Sequence, residues 1–131
     1  MKYMLLIFGN EKAYDEMDTW PEKDLAAMRD FMGRLNDDLI ASGEFVQGYG
    51  LAHPGLGRTV RATAEGLPAV TDGPYSEGKE VLAGFWILDL ESIDRATEIA
   101  ARISTSPNGP GDTEPFPVEI RPVTGGSGAE M

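Results

Sequence analysis

The stretch Val70-Thr71-Asp72-Gly73-Pro74-Tyr75-Ser76-Glu77-Gly78-Lys79-Glu80 runs straight into the apolar segment VLAGFWILDL of residues 81–90, and this junction decides the fold. Asp-Gly-Pro is a turn: Asp bonds its own downstream backbone, Gly accepts positive φ, and Pro sets the exit angle. The apolar segment reads as a strand of unusual character. Val81, Ala83, Phe85 and Ile87 alternate with Leu82, Gly84, Trp86, Leu88 and Leu90, so both of its faces are apolar and both are expected to be covered.

Residues 2–8 repeat the pattern, with Tyr3, Leu5 and Ile7 opposite Met4, Leu6 and Phe8. An acidic segment through Thr19 reads as a loop. Thr19-Trp20-Pro21-Glu22 then offers a cap, a first-turn proline and a Glu placed for a capping box. Leu25, Met28, Met32, Leu35 and Leu39 lay one stripe along a helix ending at Gly43. Residues 44–51 and 59–64 read as strands around the turn-rich His53-Pro54-Gly55-Leu56-Gly57. In the second, Thr59, Arg61 and Thr63 alternate with Val60, Ala62 and Ala64, as in a half-exposed strand. A short piece around 69–71 leads into the signature turn. Ser92 caps a second helix with its stripe at Ile93, Ala96, Ala100 and Ile103. Residues 104–117, with four prolines, connect to a last strand at 116–123. Residues 1–123 therefore read as a single domain and residues 124–131 as a mobile tail.

The element order is the split βαβ pattern of an α+β, ferredoxin-like domain with extra strands between its halves. Two helices cover one face of such a sheet. A second copy of the chain is the simplest cover for the other, so a homodimer is expected.

The segment TDGPYSEGKEVLAGFWILDL resembles the signature of the DGPF proteins, a branch of the YCII-related families, with Tyr75 where Phe is usual. Outside the signature the resemblance is one of pattern, over residues 3–123. It implies a dimeric α+β barrel in which two sheets pack face to face, and a setting linked to sigma-factor or stress regulation. YCII-type relatives are associated with a catalytic pair, a histidine in the first helix and an aspartate after the second. This chain has no histidine between residues 21 and 42, and its second helix ends in Ile103-Ser104-Thr105-Ser106. That mechanism does not carry over.

Composition narrows the classes of function. A length of 131 residues suffices for a core without metal or disulfide staples. With no cysteine, disulfides, thiolate metal sites and cysteine nucleophiles are excluded, and a reducing cytoplasm is the expected location. The first apolar run is too short for a signal core or a membrane span. The net charge is −11, and ten acids lie between Glu11 and Glu44 against Lys12, Lys23, Arg29 and Arg34. Such a surface repels nucleic acid and anionic membranes, so neither is an expected partner.

The residues able to carry chemistry are few. His53 is the only histidine, so neither a multi-imidazole metal site nor more than one triad can be built, and no metal or cofactor is expected. Gly48, Gly50, Gly55 and Gly57 lack dinucleotide spacing. Asp72 is expected to accept backbone N–H bonds in its turn, and Asp72 and His53 are the candidates for a base. Glu77 and Lys79 alternate toward one side as a pair or a mixed-charge clamp, and Arg61 is a candidate anchor for an anionic ligand. Tyr75 joins them as a ligand contact, and Trp86 is a residue of pocket or core. These features favour a dimeric module that binds a small ligand or a regulatory partner. The alternative is a cofactor-independent enzyme of isomerase, lyase or dehalogenase type acting on a small organic acid or lactone.

Overall fold

The two-sided apolar strand lies inside the main sheet, where β5 (Val81–Asp89) pairs antiparallel with β1 (Lys2–Gly9) on one side and β2 (Phe45–Gly50) on the other. With β6 (Glu119–Pro122) beyond β1, the strand order is β2-β5-β1-β6. This is the antiparallel sheet of a ferredoxin-like α+β fold. The protein is seen here in a computed structural model that describes residues 1–72, 79–111 and 114–126. Between its halves β3 (Arg58–Ala62) and β4 (Pro68–Asp72) form a separate two-stranded hairpin, the expected extra strands. All five residues of β3 are exposed, however, so it is not half-covered.

Helices α2 (Glu22–Ala41) and α3 (Ile93–Ser104) cover one sheet face. Leu35 and Leu39 of α2 and Ala96, Ile99, Ala100 and Ile103 of α3 pack with Tyr3, Leu5, Trp86 and Leu88 into one core. Ile99 takes the place expected for Ile93, which stays exposed in the first turn beside the cap. Ser92 caps α3 as predicted, its Oγ accepting from Arg95 N at 3.1 Å. The end of α2 at Gly43 is also as read. Gly43 adopts φ +79°, its N–H donates to Ile40 O, and Glu44 N donates to Leu39 O, the paired bonds of a Schellman ending.

The start of α2 differs. Pro21 occupies the cap with no side-chain bond, while Thr19 Oγ1 donates to Glu16 O at 2.6 Å. Thr19 is engaged because the segment before it is helical: α1 (Glu11–Met17) forms where a loop was expected. Asn10 caps it by accepting from Ala13 N at 2.8 Å. No residue of α1 is buried, which is why no apolar period announced it.

Covering the sheet from one side leaves the other apolar set apart from the core. Met4 pairs with Ile87 and Leu6 with Phe85 across β1 and β5, and Tyr49 stacks its tilted ring 5.9 Å from Phe85. None of these five belongs to the core cluster, although Leu6 is itself buried; Tyr49 is 59% exposed. Among the described residues, no helix is long and apolar enough to cross a membrane.

Candidate functional site

The stripe of α2 changes role along its length. Leu35 and Leu39 are buried in the core, whereas Met28 and Met32, nearer the N-terminus, line a cleft of about 480 Å³ between the helices and the sheet. A cavity of this size is typical of small-molecule sites. Its floor is low because two strand residues lack side chains. A Cβ on Gly48 would come within 3.1 Å of the Trp86 ring and 3.2 Å of Phe45, and one on Gly84 within 3.1 Å of the Tyr49 carbonyl. Tyr14 and Met17 of α1 form one wall, and Trp20 with the Ser106–Asn108 stretch forms another. Gly109 seats against Trp20, where a Cβ would lie 2.9 Å from the ring, so this stretch is held close to the indole.

Few polar groups reach the cleft. Trp86 Nε1–H donates to Asn36 Oδ1 at 2.9 Å. An indole N–H only donates, so Asn36 must present its oxygen to it, which turns the Nδ2 amide away; that amide has no protein partner among the described residues. Tyr14 donates its hydroxyl to Leu51 O at 2.9 Å, with Ala83 O at 3.4 Å. These carbonyls lie where the β1–β5 register slips opposite Ile7 and Phe8, an irregularity that re-aims backbone groups beside a site. Burial pushes the Tyr14 pKa up, so the phenol stays protonated and is no base at neutral pH. Ser106 is 6% exposed, and its Oγ has only a long 3.4 Å contact with Pro107 O. Glu16 stands at the exposed rim, 3.8 Å from Lys12 Nζ.

Of the residues singled out from sequence, His53, Arg61 and Lys79 do not line this cleft. His53 lines a separate shallow depression with Arg58. Its ring is more sheltered than a loop histidine is expected to be and has both nitrogens engaged: Nδ1 accepts from Gly55 N–H at 2.9 Å and Nε2 meets Asp15 Oδ1 at 2.8 Å. Since Gly55 N–H occupies the Nδ1 lone pair, the ring proton sits on Nε2 and is donated to Asp15. Glu11 completes a cluster whose ligand atoms lie within 4.8 Å of one another. The His53–Asp15 pair tethers α1 to the loop after β2, and a metal at this cluster would have to displace the Nε2 proton and with it the Gly55 contact. Arg61 lies on the exposed hairpin opposite Ala69, and Lys79 is exposed at the approach to β5. The backbone of Asp72 pairs with Arg58 at the end of β4. The Asp72 side chain, Tyr75 and Glu77 lie outside the described residues, and with them the turn bond and the Glu77–Lys79 clamp.

Trp86 is core and pocket at once, its body buried and its edge on the cleft floor. Asn36, Tyr14, Trp20 and Ser106 were not singled out from sequence. Asn36 had a signal: it lies four residues after Met32, a lone amide on an apolar stripe. Tyr14 and Ser106 had none, because only the fold brings the short helix and the loop after α3 to the same cleft.

An antiparallel sheet of order β2-β5-β1-β6, helices on one face and a largely apolar cleft beneath them define a ferredoxin-like α+β domain with a small-molecule-sized site. Residues 1–115 match the model of the YCII-related domain, and the chain belongs to that family. It is also similar to an uncharacterised protein of Rhizobium meliloti (strain 1021), 29% identical over 121 residues, which are 92% of this chain and 94% of the relative.

Proposed function

We propose that this protein is a cytoplasmic, homodimeric small-ligand-binding module of the DGPF type, with its ligand seated in the cleft between α1, α2 and the sheet. The observation that carries the reading is a cleft of about 480 Å³ kept open by Gly48 and Gly84. Its only titratable lining groups among the described residues are a protonated Tyr14, a second phenol at Tyr49 and a rim Glu16. A binding site needs shape and a few polar contacts, whereas acid–base catalysis needs a poised donor and acceptor facing one another. The His53–Asp15 pair is the nearest approach to such a constellation, and its imidazole lone pair is already taken by Gly55. Binding is therefore favoured over isomerase, lyase or dehalogenase chemistry. The dimer rests on Met4 and Ile87, a half-buried apolar pair on the alternating face turned away from the core cluster.

The chain's two tryptophans, Trp20 and Trp86, both line the cleft, so their indole signals report its occupation. Titration with the neutral apolar dye N-phenyl-1-naphthylamine is expected to quench them saturably, with one site per chain. Gly48→Leu, which fills the floor, should abolish the quenching while the helical circular dichroism is retained. Quenching that survives in a folded Gly48→Leu protein would place the ligand elsewhere.

A further inference from the structure

We infer that the cleft selects a neutral, ring-containing apolar molecule with a hydrogen-bond acceptor, and that Asn36 is the residue that reads the acceptor; this rests on the cleft being the binding site. Three observations carry it.

The first is charge. No Lys, Arg or His lines the cleft among the described residues, in a chain of net charge −11. A carboxylate entering would lose its hydration without gaining a counter-ion, which is strongly unfavourable in an apolar site. A cation fares little better. The single acidic lining residue, Glu16, is solvent-exposed at the rim and already beside Lys12, so its attraction is screened before it reaches the interior. The second is surface. Trp20, Trp86 and Phe116 with Met28 and Met32 supply flat rings and adaptable thioethers, which suit a planar apolar body. The third is the polar inventory. The Asn36 amide is committed through its oxygen to Trp86, so what remains to a ligand is an N–H donor. Ser106 adds a hydroxyl that is nine-tenths buried and poorly bonded. Asn36 is half-buried, so a ligand that excludes water from the cleft must replace the water its amide N–H would otherwise bond, and one bearing a carbonyl or ether oxygen is preferred over one of the same shape without it.

The test is a matched series of single-ring probes: acetophenone, ethylbenzene, benzoate and benzylammonium. Each is titrated into the full chain while the indole N–H signals of Trp20 and Trp86 are followed by two-dimensional NMR. Acetophenone is expected to bind at least about tenfold more tightly than benzoate or benzylammonium, and several-fold more tightly than ethylbenzene. Asn36→Asp preserves the oxygen that Trp86 needs but replaces the N–H donor, so the preference for acetophenone over ethylbenzene should vanish. Ser106→Ala, a milder change, should reduce it. If benzoate or benzylammonium moves the indole signals as tightly as acetophenone, the ligand class is overturned although the cleft still binds. If none of the four probes moves either indole, the cleft itself is not the site and the underlying reading fails. An Asn36→Asp protein that folds and keeps the acetophenone preference removes Asn36 from its role.

Discussion

Glu44 and Arg95 meet through two parallel bonds, Nε to Oε2 and Nη2 to Oε1, each 2.8 Å, joining the residue before β2 to the first turn of α3. Ser42 adds a third bond to the carboxylate at 2.7 Å. The guanidinium bonds hold the Glu44 carboxyl down to about 2, from an ordinary value of 4.5. Because the folded pKa is the lower one, the unfolded chain binds more protons between these values. The pair's contribution is therefore complete above about 4.5 and lost as pH falls toward about 2. Glu44 is largely buried, but Arg95 is a third exposed and keeps Glu98 as a partner at 3.0 Å, so solvent screening tempers the gain. Glu44→Gln is expected to cost about 1–2 kcal/mol at neutral pH in urea unfolding, with the difference from wild type shrinking at acid pH. A variant whose deficit is the same at both pH values would show that the charge plays no part.

At the scale of elements, α1 is held by few contacts. Seven residues are too few to hold a helix in water, and none of them is buried. It is kept by the Asn10 cap, by Tyr14 donating to Leu51 O, and by Asp15 accepting from His53, whose ring also lies 5.7 Å from that of Tyr14. Since α1 walls the cleft, its hold on the sheet governs the shape of the site. Tyr14→Phe removes one donor and should reduce stability by about 0.5–1.5 kcal/mol. It should also speed hydrogen exchange of the α1 amides well beyond that of α2 and α3. Equal exchange in the variant and the wild type would mean that the phenol does not tether the helix.

For the whole molecule, the proposed dimer sets apolar attraction against charge. Two copies of a chain of net charge −11 repel one another, so association should strengthen as salt screens them. Light scattering is expected to give about twice the 14.2 kDa chain mass. Met4→Asp and Ile87→Asp, at paired positions outside the core cluster, should each give a folded monomer. A wild-type chain that stays monomeric at micromolar concentration in high salt would sink the paired-sheet assembly.

Much of the fold was legible because it depends on local pattern. The alternation in residues 81–90 marks the strand at the heart of the sheet, the spacing of Leu35 and Leu39 marks the packed half of α2, and Gly43 and Ser92 mark helix ends by their own backbone chemistry. The element order then leaves few topologies for an antiparallel sheet. The cleft was not legible in that way. Met28 and Met32 look like Leu35 and Leu39 in sequence, and only the tertiary arrangement sets them over Gly48 and Gly84, where no side chain rises to meet them. Nor does sequence spacing tell that Asn36 meets Trp86 fifty residues away, or that His53 is spent on Asp15 and Gly55. Periodicity along the chain determines which faces are apolar, because it is a property of neighbours in sequence. Which apolar residues become core and which line a cavity is decided by the groups that face them across space.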